Sequence, residues 1–226
     1  MSSASRPVNS DQSGPHPDLA VRVERHRRSG FLRPTHGASA AAFAQARTWL
    51  AARSGVPVVL DTGCGTGTSS HTLAHQHPET AVIGIDKSAV RLARGATDDA
   101  PDNLLLLQAN LLDFYPLARA AGWQASAQYL LYPNPWPKAA QLNKRWHGSP
   151  IFPDLIALGG TLELRSNWRV YVDEMRLALS SFDVVATVER FEPVTPLTRF
   201  EAKYAASGHA LWRLQADLRH AAATFG

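Results

Sequence analysis

A glycine-rich turn with acidic residues on both sides is the first feature of this sequence that could bind a ligand. A short β-branched run enters the turn at Asp61. The glycines stand at alternate positions: Gly63, Gly65 and Gly67. Glycines allow positive φ angles and let the backbone approach a ligand closely. Asp86 ends the next predicted strand, where a carboxylate can accept hydrogen bonds from ribose hydroxyls.

The spacing of these glycines distinguishes between two kinds of cofactor. Dinucleotide sites read G-x-G-x-x-G, whereas this turn reads G-x-G-x-G. A carboxylate just before the glycines would repel a pyrophosphate, but it suits the cationic amino-acid moiety of S-adenosylmethionine. The turn therefore predicts S-adenosylmethionine as the cofactor. In the alternative interpretation, Asp61 caps the turn and Asp86 caps the helix that follows. Asn110, directly after the third predicted strand, stands where methyltransferases hold the adenine edge.

A proline-rich segment after the fourth predicted strand is the most unusual part of the chain. Residues 132–138 read Y-P-N-P-W-P-K, and three prolines restrict the backbone to a stiff, extended loop. We call this segment the Pro-Trp loop. Within it, Asn134 offers an amide to a planar partner, Trp136 a stacking face and Lys138 a cation.

A basic segment with an aromatic residue follows the Pro-Trp loop. Lys144, Arg145 and Trp146 stand together here. Lysine and arginine bind phosphates, and aromatic rings stack on bases, so the segment predicts contact with RNA. The alternative is a solvated surface loop.

Short apolar runs alternate with helical segments along most of the chain. Strands are predicted at 57–61, 81–85, 104–108, 128–132, 160–165, 183–189 and 210–216. Helices are predicted at 38–53, 69–76, 88–95 and 168–179. The alternation predicts an α/β, Rossmann-like fold with a seven-stranded, mostly parallel sheet and helices on both faces. Ligands of such sheets bind outside the carboxyl ends of the strands, where both the glycine turn and the Pro-Trp loop fall.

The composition limits the classes of protein to which the chain can belong. At 226 residues, 45 % of them apolar, the chain can fill one core. The single cysteine, Cys64, excludes an internal disulfide, and we interpret it as a small residue that fits the turn. No apolar run approaches the ~18 residues that span a bilayer, and the N-terminus lacks a secretory signal. We therefore expect a soluble, cytoplasmic protein.

Three segments are expected in order along the chain. Residues 1–18 are rich in serine and proline and predict a disordered tail. Residues 19–55 form a basic arm and a helix, and residues 56–226 form the cofactor-binding domain. The net charge of +4 is compatible with a nucleic-acid partner. The arm is either solvated or contacts RNA, and it carries Arg22, Arg25, His26, Arg27, Arg28 and Arg33.

From about residue 28 to residue 214 the sequence resembles the tRNA (guanine-N7-)-methyltransferase family of class I S-adenosylmethionine-dependent methyltransferases. The family reads P-D-P-W-x-K, followed by basic residues, where residues 133–138 read P-N-P-W-P-K. It reads T-D-W-x-x-Y where residues 166–171 read S-N-W-R-V-Y. Weaker matches are T-[KR]-F-E at 198–201 and G-H-x-x-[WY] at 208–212.

The resemblance implies roles for individual residues. The cofactor would be held by Asp61, Gly63, Gly65, Gly67, Asp86 and Asn110. Asn134 would orient the target base as the catalytic residue, while Trp136 shapes the loop. Further substrate contacts would come from Lys138, Lys144, Arg145, Asn167, Thr198, Arg199 and Glu201. The resemblance implies a tRNA partner, no metal and no membrane, and it leaves open whether the chain is a monomer or a homodimer.

The chain departs from the family at three asparagines. Asn134, Asn167 and Asn110 stand where the family has aspartate. A carboxylate can accept hydrogen bonds from guanine N1 and N2, whereas an amide carries no charge, and charge-assisted hydrogen bonds are about twice as strong as neutral ones. One good base contact contributes about 1–3 kcal/mol of discrimination, so we expect the chemistry to survive even if the base preference shifts.

These observations favour methyl transfer to guanine N7 of tRNA. N7 has a lone pair and no proton, so positioning contributes more than a strong base. Three alternatives stay open. The acceptor could be another RNA base or a small molecule, or the chain could bind cofactor or RNA without turnover. A nicotinamide-dependent oxidoreductase is disfavoured by the glycine spacing and by Asp61.

Overall fold

The fold is built on one seven-stranded sheet, seen in a computed structural model that describes residues 5–31, 33–97 and 99–225. The strand order is β3-β2-β1-β4-β5-β7-β6. The strands are β1 (Val58–Thr62), β2 (Ala81–Asp86), β3 (Leu104–Gln108), β4 (Ala127–Leu131), β5 (Thr161–Ser166), β6 (Ala186–Phe191) and β7 (Leu211–Asp217). β7 runs antiparallel to both of its neighbours, and the other pairings are parallel. The predicted fold class is confirmed, and each strand lies within three residues of its predicted position.

Nine helices lie within the described ranges. They are α1 (Leu19–Arg28), α2 (Gly37–Ala51), α3 (Thr68–Gln76), α4 (Ala89–Gly95), α5 (Leu111–Ala120), α6 (Phe152–Ala157), α7 (Arg169–Ser180), α8 (Arg199–Ala206) and α9 (Arg219–Ala222). The Ser88 hydroxyl accepts a hydrogen bond from the backbone N–H of Arg91, so the predicted N-cap of α4 is confirmed. Each helix among the described residues is too short or too polar to span a bilayer.

The core lies on the two faces of the sheet. Alternate strand side chains point to opposite faces, and the larger apolar cluster joins Leu60 and Ile83 to side chains of α1, α2, α5, α6 and α7. The smaller cluster joins Val59 and Val82 to Leu73 of α3. The chain reverses its order across the sheet between β1 and β4, so the loops after these two strands flank the crevice in which ligands of such sheets bind.

The segment predicted as a disordered tail instead contacts the domain. Residues 1–4 of that prediction lie outside the described residues. Farther on, Val8 packs against the core. The Ser10 hydroxyl donates to the carbonyl of Pro137 at 2.7 Å, and Gln12 Nε2 donates to the Glu174 carboxylate at 3.1 Å. The composition lacks apolar surface, but these polar groups find partners in the domain.

The basic arm is also ordered, as helix α1. Leu19 and Val23, four residues apart, are buried and fix one side of the helix to the core. Glu24 pairs with Arg27 at 3.0 Å and with Arg28 at 2.6 Å. Arg25, Arg27 and Arg28 are all exposed and outnumber the one acidic residue of the helix, so α1 keeps a basic outer surface.

Candidate active site

The glycine turn joins β1 to α3 and leaves open space beside the backbone. Gly63 and Gly65 have φ angles of +77° and +63°, and a Cβ at either position would meet no atom within 4 Å. Gly67 has a φ of +75° and lies directly before α3. The turn can therefore take up a ligand against its backbone without a side chain in the way.

Asp61 lies under this turn, and one of its carboxylate oxygens has no partner. The side chain is fully buried, and Oδ2 accepts hydrogen bonds from the hydroxyls of Ser69 and Ser70, each at 2.6 Å. Oδ1 has no hydrogen-bond partner among the described residues. Burial raises the pKa of the Asp61 carboxyl, the two serine hydroxyls oppose that rise, and the charge of Asp86 adds to it. A cationic donor would satisfy the free oxygen.

Asp86, at the end of β2, ties the glycine turn to α4. Its Oδ2 accepts from the Gly65 N–H at 3.0 Å, and its Oδ1 accepts from the Ser88 N–H at 2.8 Å. Arg91, which is partly exposed, adds an ion pair at 3.0 Å. A carboxylate can accept about four hydrogen bonds, so Asp86 keeps some capacity for ribose hydroxyls, and that role stays a prediction.

Asn110 is the N-cap of α5. Its side-chain oxygen accepts from the Leu112 N–H at 3.0 Å. Its NH2 group makes no hydrogen bond within the described ranges. The cap therefore fixes the side chain with its donor free, and contact with an adenine edge stays a prediction.

Cys64 is a poor nucleophile in this environment. Burial raises the pKa of its thiol, and the charges of Asp61 and Asp86 raise it further. The side chain therefore stays a neutral thiol, in keeping with its interpretation as a small residue that fits the turn.

The turn as a whole fits S-adenosylmethionine. The unpartnered oxygen of Asp61 would receive the ammonium group, the open glycine backbone would adjoin the amino-acid moiety, and Asp86 would face the ribose. A pyrophosphate would meet two carboxylates at the turn, of which Asp86 is paired with Arg91 and Asp61 is not paired with a cation among the described residues.

The Pro-Trp loop leaves the end of β4 through unusual backbone conformations. Tyr132 and Trp136 have φ angles of +50° and +44°, values that are uncommon for residues other than glycine. Asn134 is exposed, and its Oδ1 accepts from the Trp136 N–H at 3.2 Å. Its NH2 group therefore faces solvent as a donor. Lys144 is exposed and places its Nζ 4.6 Å from the centre of the Trp136 ring.

Arg145 has a different role from the predicted phosphate contact. Its guanidinium is fully buried and pairs with Glu174 of α7 at 2.5 Å, so it cannot reach a phosphate on the surface. It donates to the carbonyls of Trp136 at 2.9 Å and Lys138 at 3.2 Å. The structure does not support the predicted phosphate contact for this residue, because three of its hydrogen bonds go to carbonyls of the Pro-Trp loop and the other two go to Glu174 and Gln12.

Glu174 completes a buried cluster beneath the loop. His147 Nε2 lies 2.8 Å from the Glu174 carboxylate, and both side chains are fully buried. Burial by itself raises the pKa of the Glu174 carboxyl, but the hydrogen bonds and charges of His147 and Arg145 outweigh burial and hold it at about 2. Glu174 is therefore ionised and neutralises Arg145.

Glu201 is also buried rather than available to substrate. Its carboxylate accepts from Arg165 at 3.0 Å and from the Tyr132 hydroxyl at 2.9 Å. Its N–H is capped by the hydroxyl of Thr198, the N-cap of α8. The predicted substrate contact is wrong for Glu201, since its oxygens hold Tyr132 at the start of the Pro-Trp loop. Arg199 is exposed, so its role toward substrate stays a prediction.

Asn167 follows β5, next to the start of the Pro-Trp loop. The backbone N–H of Tyr132 donates to the carbonyl of Arg165 at 2.9 Å, which holds the two segments side by side. Asn167 Nδ2 lies 3.0 Å from His209 Nδ1, and His209 Nε2 donates to the Ser5 carbonyl at 2.9 Å. Within the described ranges no group donates to the Asn167 oxygen, which is left as an acceptor.

Three residues of this site were not predicted from the sequence. Tyr132, Glu174 and His209 position the Pro-Trp loop and Asn167 through contacts across long stretches of chain. The G-H pair at residues 208–209 was the one signal that could have indicated His209. Across the parts of the chain that the structure describes, no cluster of three histidine, cysteine or acidic side chains could hold a metal ion.

Solved structures with a similar fold are methyltransferases. The 16S rRNA methyltransferase KamB is 19 % identical, with a TM-score of 0.57 over 83 % of this chain and 95 % of that one. A 16S rRNA (adenine(1408)-N(1))-methyltransferase from Catenulisporales acidiphilia, solved as a mutant with S-adenosylmethionine, is 18 % identical, with a TM-score of 0.53 over 76 % of this chain and 90 % of that one. The fold is therefore that of the class I methyltransferases.

Sequence comparison identifies a family within this class. A family model described as "Putative methyltransferase" matches residues 56–214. A tRNA (guanine-N(7)-)-methyltransferase of Pectobacterium atrosepticum is 30 % identical over 70 % of this chain and 71 % of that one. One of Leifsonia xyli is 26 % identical over 70 % of this chain and 75 % of that one. The chain belongs to the tRNA (guanine-N7-)-methyltransferase family, and it is an S-adenosylmethionine-dependent methyltransferase.

Proposed function

We propose that this enzyme methylates N7 of a guanine in tRNA. The observation that carries the proposal is the Pro-Trp loop beside the cofactor turn, in a chain whose relatives are named tRNA (guanine-N(7)-)-methyltransferases. β4 lies next to β1 in the sheet. The loop after β4 and the turn after β1 therefore flank the same crevice.

S-adenosylmethionine, when bound, supplies a methyl group carried on a positively charged sulfur. The residues that would hold it are Asp61, Gly63, Gly65, Gly67, Asp86 and Asn110. Guanine N7 offers a lone pair and carries no proton, so no side chain has to remove one. The contribution of this chain is then to position the base and to exclude unproductive geometries.

The two asparagines offer complementary hydrogen-bonding groups to a base. Asn134 presents its NH2 as a donor, because its oxygen is engaged by Trp136. Asn167 presents its oxygen as an acceptor, because its NH2 faces His209. Guanine carries the O6 acceptor next to N7, and N1 and N2 donors on the same ring system. This pairing replaces the two carboxylates of the family.

The cations around the loop suit an RNA backbone. Lys138 precedes the short helical turn that follows the loop, Lys144 is the last residue of that turn, and both are exposed. Each phosphate that such a side chain neutralises releases counterions and favours binding. Lys138, Lys144 and Arg199 therefore take the phosphate role, and Arg145 holds the loop.

A second candidate keeps the reaction and changes the base. An asparagine amide recognises adenine well through one donor and one acceptor, and the pair formed by Asn134 and Asn167 has that character. Methyl transfer to another RNA base is therefore the alternative outcome.

Transfer of labelled methyl groups, followed by nucleoside analysis, tests both candidates. Unmodified tRNA and ribosomal RNA are incubated with the enzyme and labelled S-adenosylmethionine. Labelled N7-methylguanosine from tRNA is the expected result, and a different labelled nucleoside selects the second candidate. If the enzyme binds the cofactor and labels neither RNA, both are refuted.

An asparagine pair tests the role of the loop. Asn134→Ala is expected to lower kcat/KM for tRNA by about 5-fold or more, the loss of one base contact. Asn143→Ala, a change at an exposed asparagine downstream of the loop, is the control and should leave the rate unchanged. Equal rates in the two variants would contradict the role of Asn134.

A further inference from the structure

Helix α8 exposes a stack of aromatic rings. Phe200 is 54 % exposed, and its ring lies 6.1 Å from that of Tyr204 at an interplanar angle of 26°. Tyr204 in turn lies 5.2 Å from the His209 ring at 16°. The two aromatic residues are four positions apart, so they share one side of the helix. The result is three nearly parallel rings with the exposed ring of Phe200 at one end.

The inner end of this stack reaches the predicted base site. His209 contacts Asn167 at 3.0 Å. Tyr204 lies 5.6 Å from the ring of Tyr132, where the Pro-Trp loop begins. Buried Glu201 accepts from the Tyr132 hydroxyl beneath the helix and so fixes α8 against the loop. Phe200 lies at the outer end of the stack, and ring separations of 6.1 and 5.2 Å lead from it through Tyr204 to His209, the partner of Asn167.

The outer surface of α8 is positive. Arg199 and Lys203 each precede one of the two aromatic residues, and both are exposed. Neither forms an ion pair within the part of the chain that the structure describes. The acidic residue of the helix, Glu201, is buried and neutralised by Arg165. The two cations thus form a stripe about 100° around the helix from that of the rings.

We propose that this surface of α8 stacks an unpaired base of the RNA substrate other than the nucleotide that is methylated. Stacking on aromatic rings with phosphate contacts from neighbouring cations is how single-stranded RNA is held. Phe200 takes the base, while Arg199 and Lys203 take adjacent phosphates. This inference rests on the proposed function, since it requires an RNA substrate.

Binding of a fluorescein-labelled, unmodified tRNA transcript, followed by anisotropy, tests the proposal. Phe200→Ala is expected to weaken binding by about 5- to 150-fold, the range for loss of one stacked base. Phe200→Trp keeps a stacking ring and should bind within about 2-fold of the parent by the same reasoning. Val194→Ala removes a fully exposed apolar side chain just before α8 and is the matched control.

The outcomes separate this inference from the proposed function. Cofactor affinity should be equal in all four proteins. If the parent binds and methylates tRNA but Phe200→Ala binds it equally well, the stacking role is overturned and the proposed function stands. If the parent neither binds nor methylates tRNA, both are overturned. An Arg199→Ala variant should also reduce the salt dependence of binding by about one counterion.

Discussion

Replacing Glu174 with glutamine would remove the charge that neutralises Arg145 beneath the Pro-Trp loop. Both side chains are fully buried, and a guanidinium nitrogen of Arg145 lies 2.5 Å from a carboxylate oxygen of Glu174. Loss of one partner of a buried pair leaves an uncompensated charge and destabilises by about 3–5 kcal/mol. For a chain of this length, such a loss lowers the melting temperature by about 6–20 °C.

Urea denaturation at pH 7 measures this loss of stability, and the preceding residue, Asp173, provides the control. Asp173 pairs with Arg169 one turn away on the partly exposed side of α7, at 2.8 Å. Such pairs contribute about 0.3–0.5 kcal/mol, so Asp173→Asn should change stability little. Glu174→Gln should also lose methyl transfer to RNA while it still binds the cofactor, because Arg145 holds the carbonyls of the loop. A loss below about 1 kcal/mol, a third of the expected minimum, would refute the reasoning.

Three further tests concern the pH dependence of stability, the unpartnered oxygen of Asp61 and the glycine turn. The folded pKa of Glu174 is held at about 2, below the usual value of 4.5. The ionised carboxylate therefore stabilises the fold above pH 4.5, and this stabilisation is lost as the pH falls towards 2. Urea unfolding from pH 5 to pH 2 should show the loss in the parent and not in Glu174→Gln. Asp61→Asn keeps an acceptor for both serine hydroxyls but removes the charge, so calorimetry should show that S-adenosylmethionine binds about 10-fold more weakly or worse. Because burial raises the pKa of Asp61, the charged form is disfavoured in the fold, and the variant should be as stable as the parent or more stable. Gly67→Ala forces a side chain into a φ of +75° and to 2.9 Å from Leu106, so it should unfold about 1 kcal/mol more easily or worse, whereas Gly30→Ala, which meets no atom within 4 Å, should not.

The strands of the sheet could be predicted from the sequence because each is marked by its own residues and by those next to it. Runs such as 81–85 and 104–108 are apolar, short and bounded by turn residues, and each became a strand at that position. The sequence predicted helices at the positions of α2, α3, α4 and α7, but not α1, α5, α6, α8 or α9. Pro116 lies inside α5, where a proline interrupts a helical pattern, and α6 has only six residues, too few to show a helical period.

The positions of the site residues were predictable, but their partners were not. The ends of β1 and β2 place Asp61 and Asp86 at one edge of the sheet, as parallel strands require. Arg145 looked like a surface cation because its neighbours in sequence are polar. Its acidic partner, Glu174, lies 29 residues away, and nothing in the local pattern links the two. The packing of residues 5–16 likewise depends on acceptors that are formed only in the folded domain.

Calorimetric titration with S-adenosylmethionine and with NAD tests most directly whether the turn from Asp61 to Gly67, with Asp86, is the cofactor site. The parent protein should bind one S-adenosylmethionine and no NAD. Asp86→Ala should weaken S-adenosylmethionine binding, whereas Asp102→Ala, a change at an exposed aspartate, should leave it unchanged. Binding of NAD by the parent, or an unchanged S-adenosylmethionine affinity in Asp86→Ala, would contradict this account.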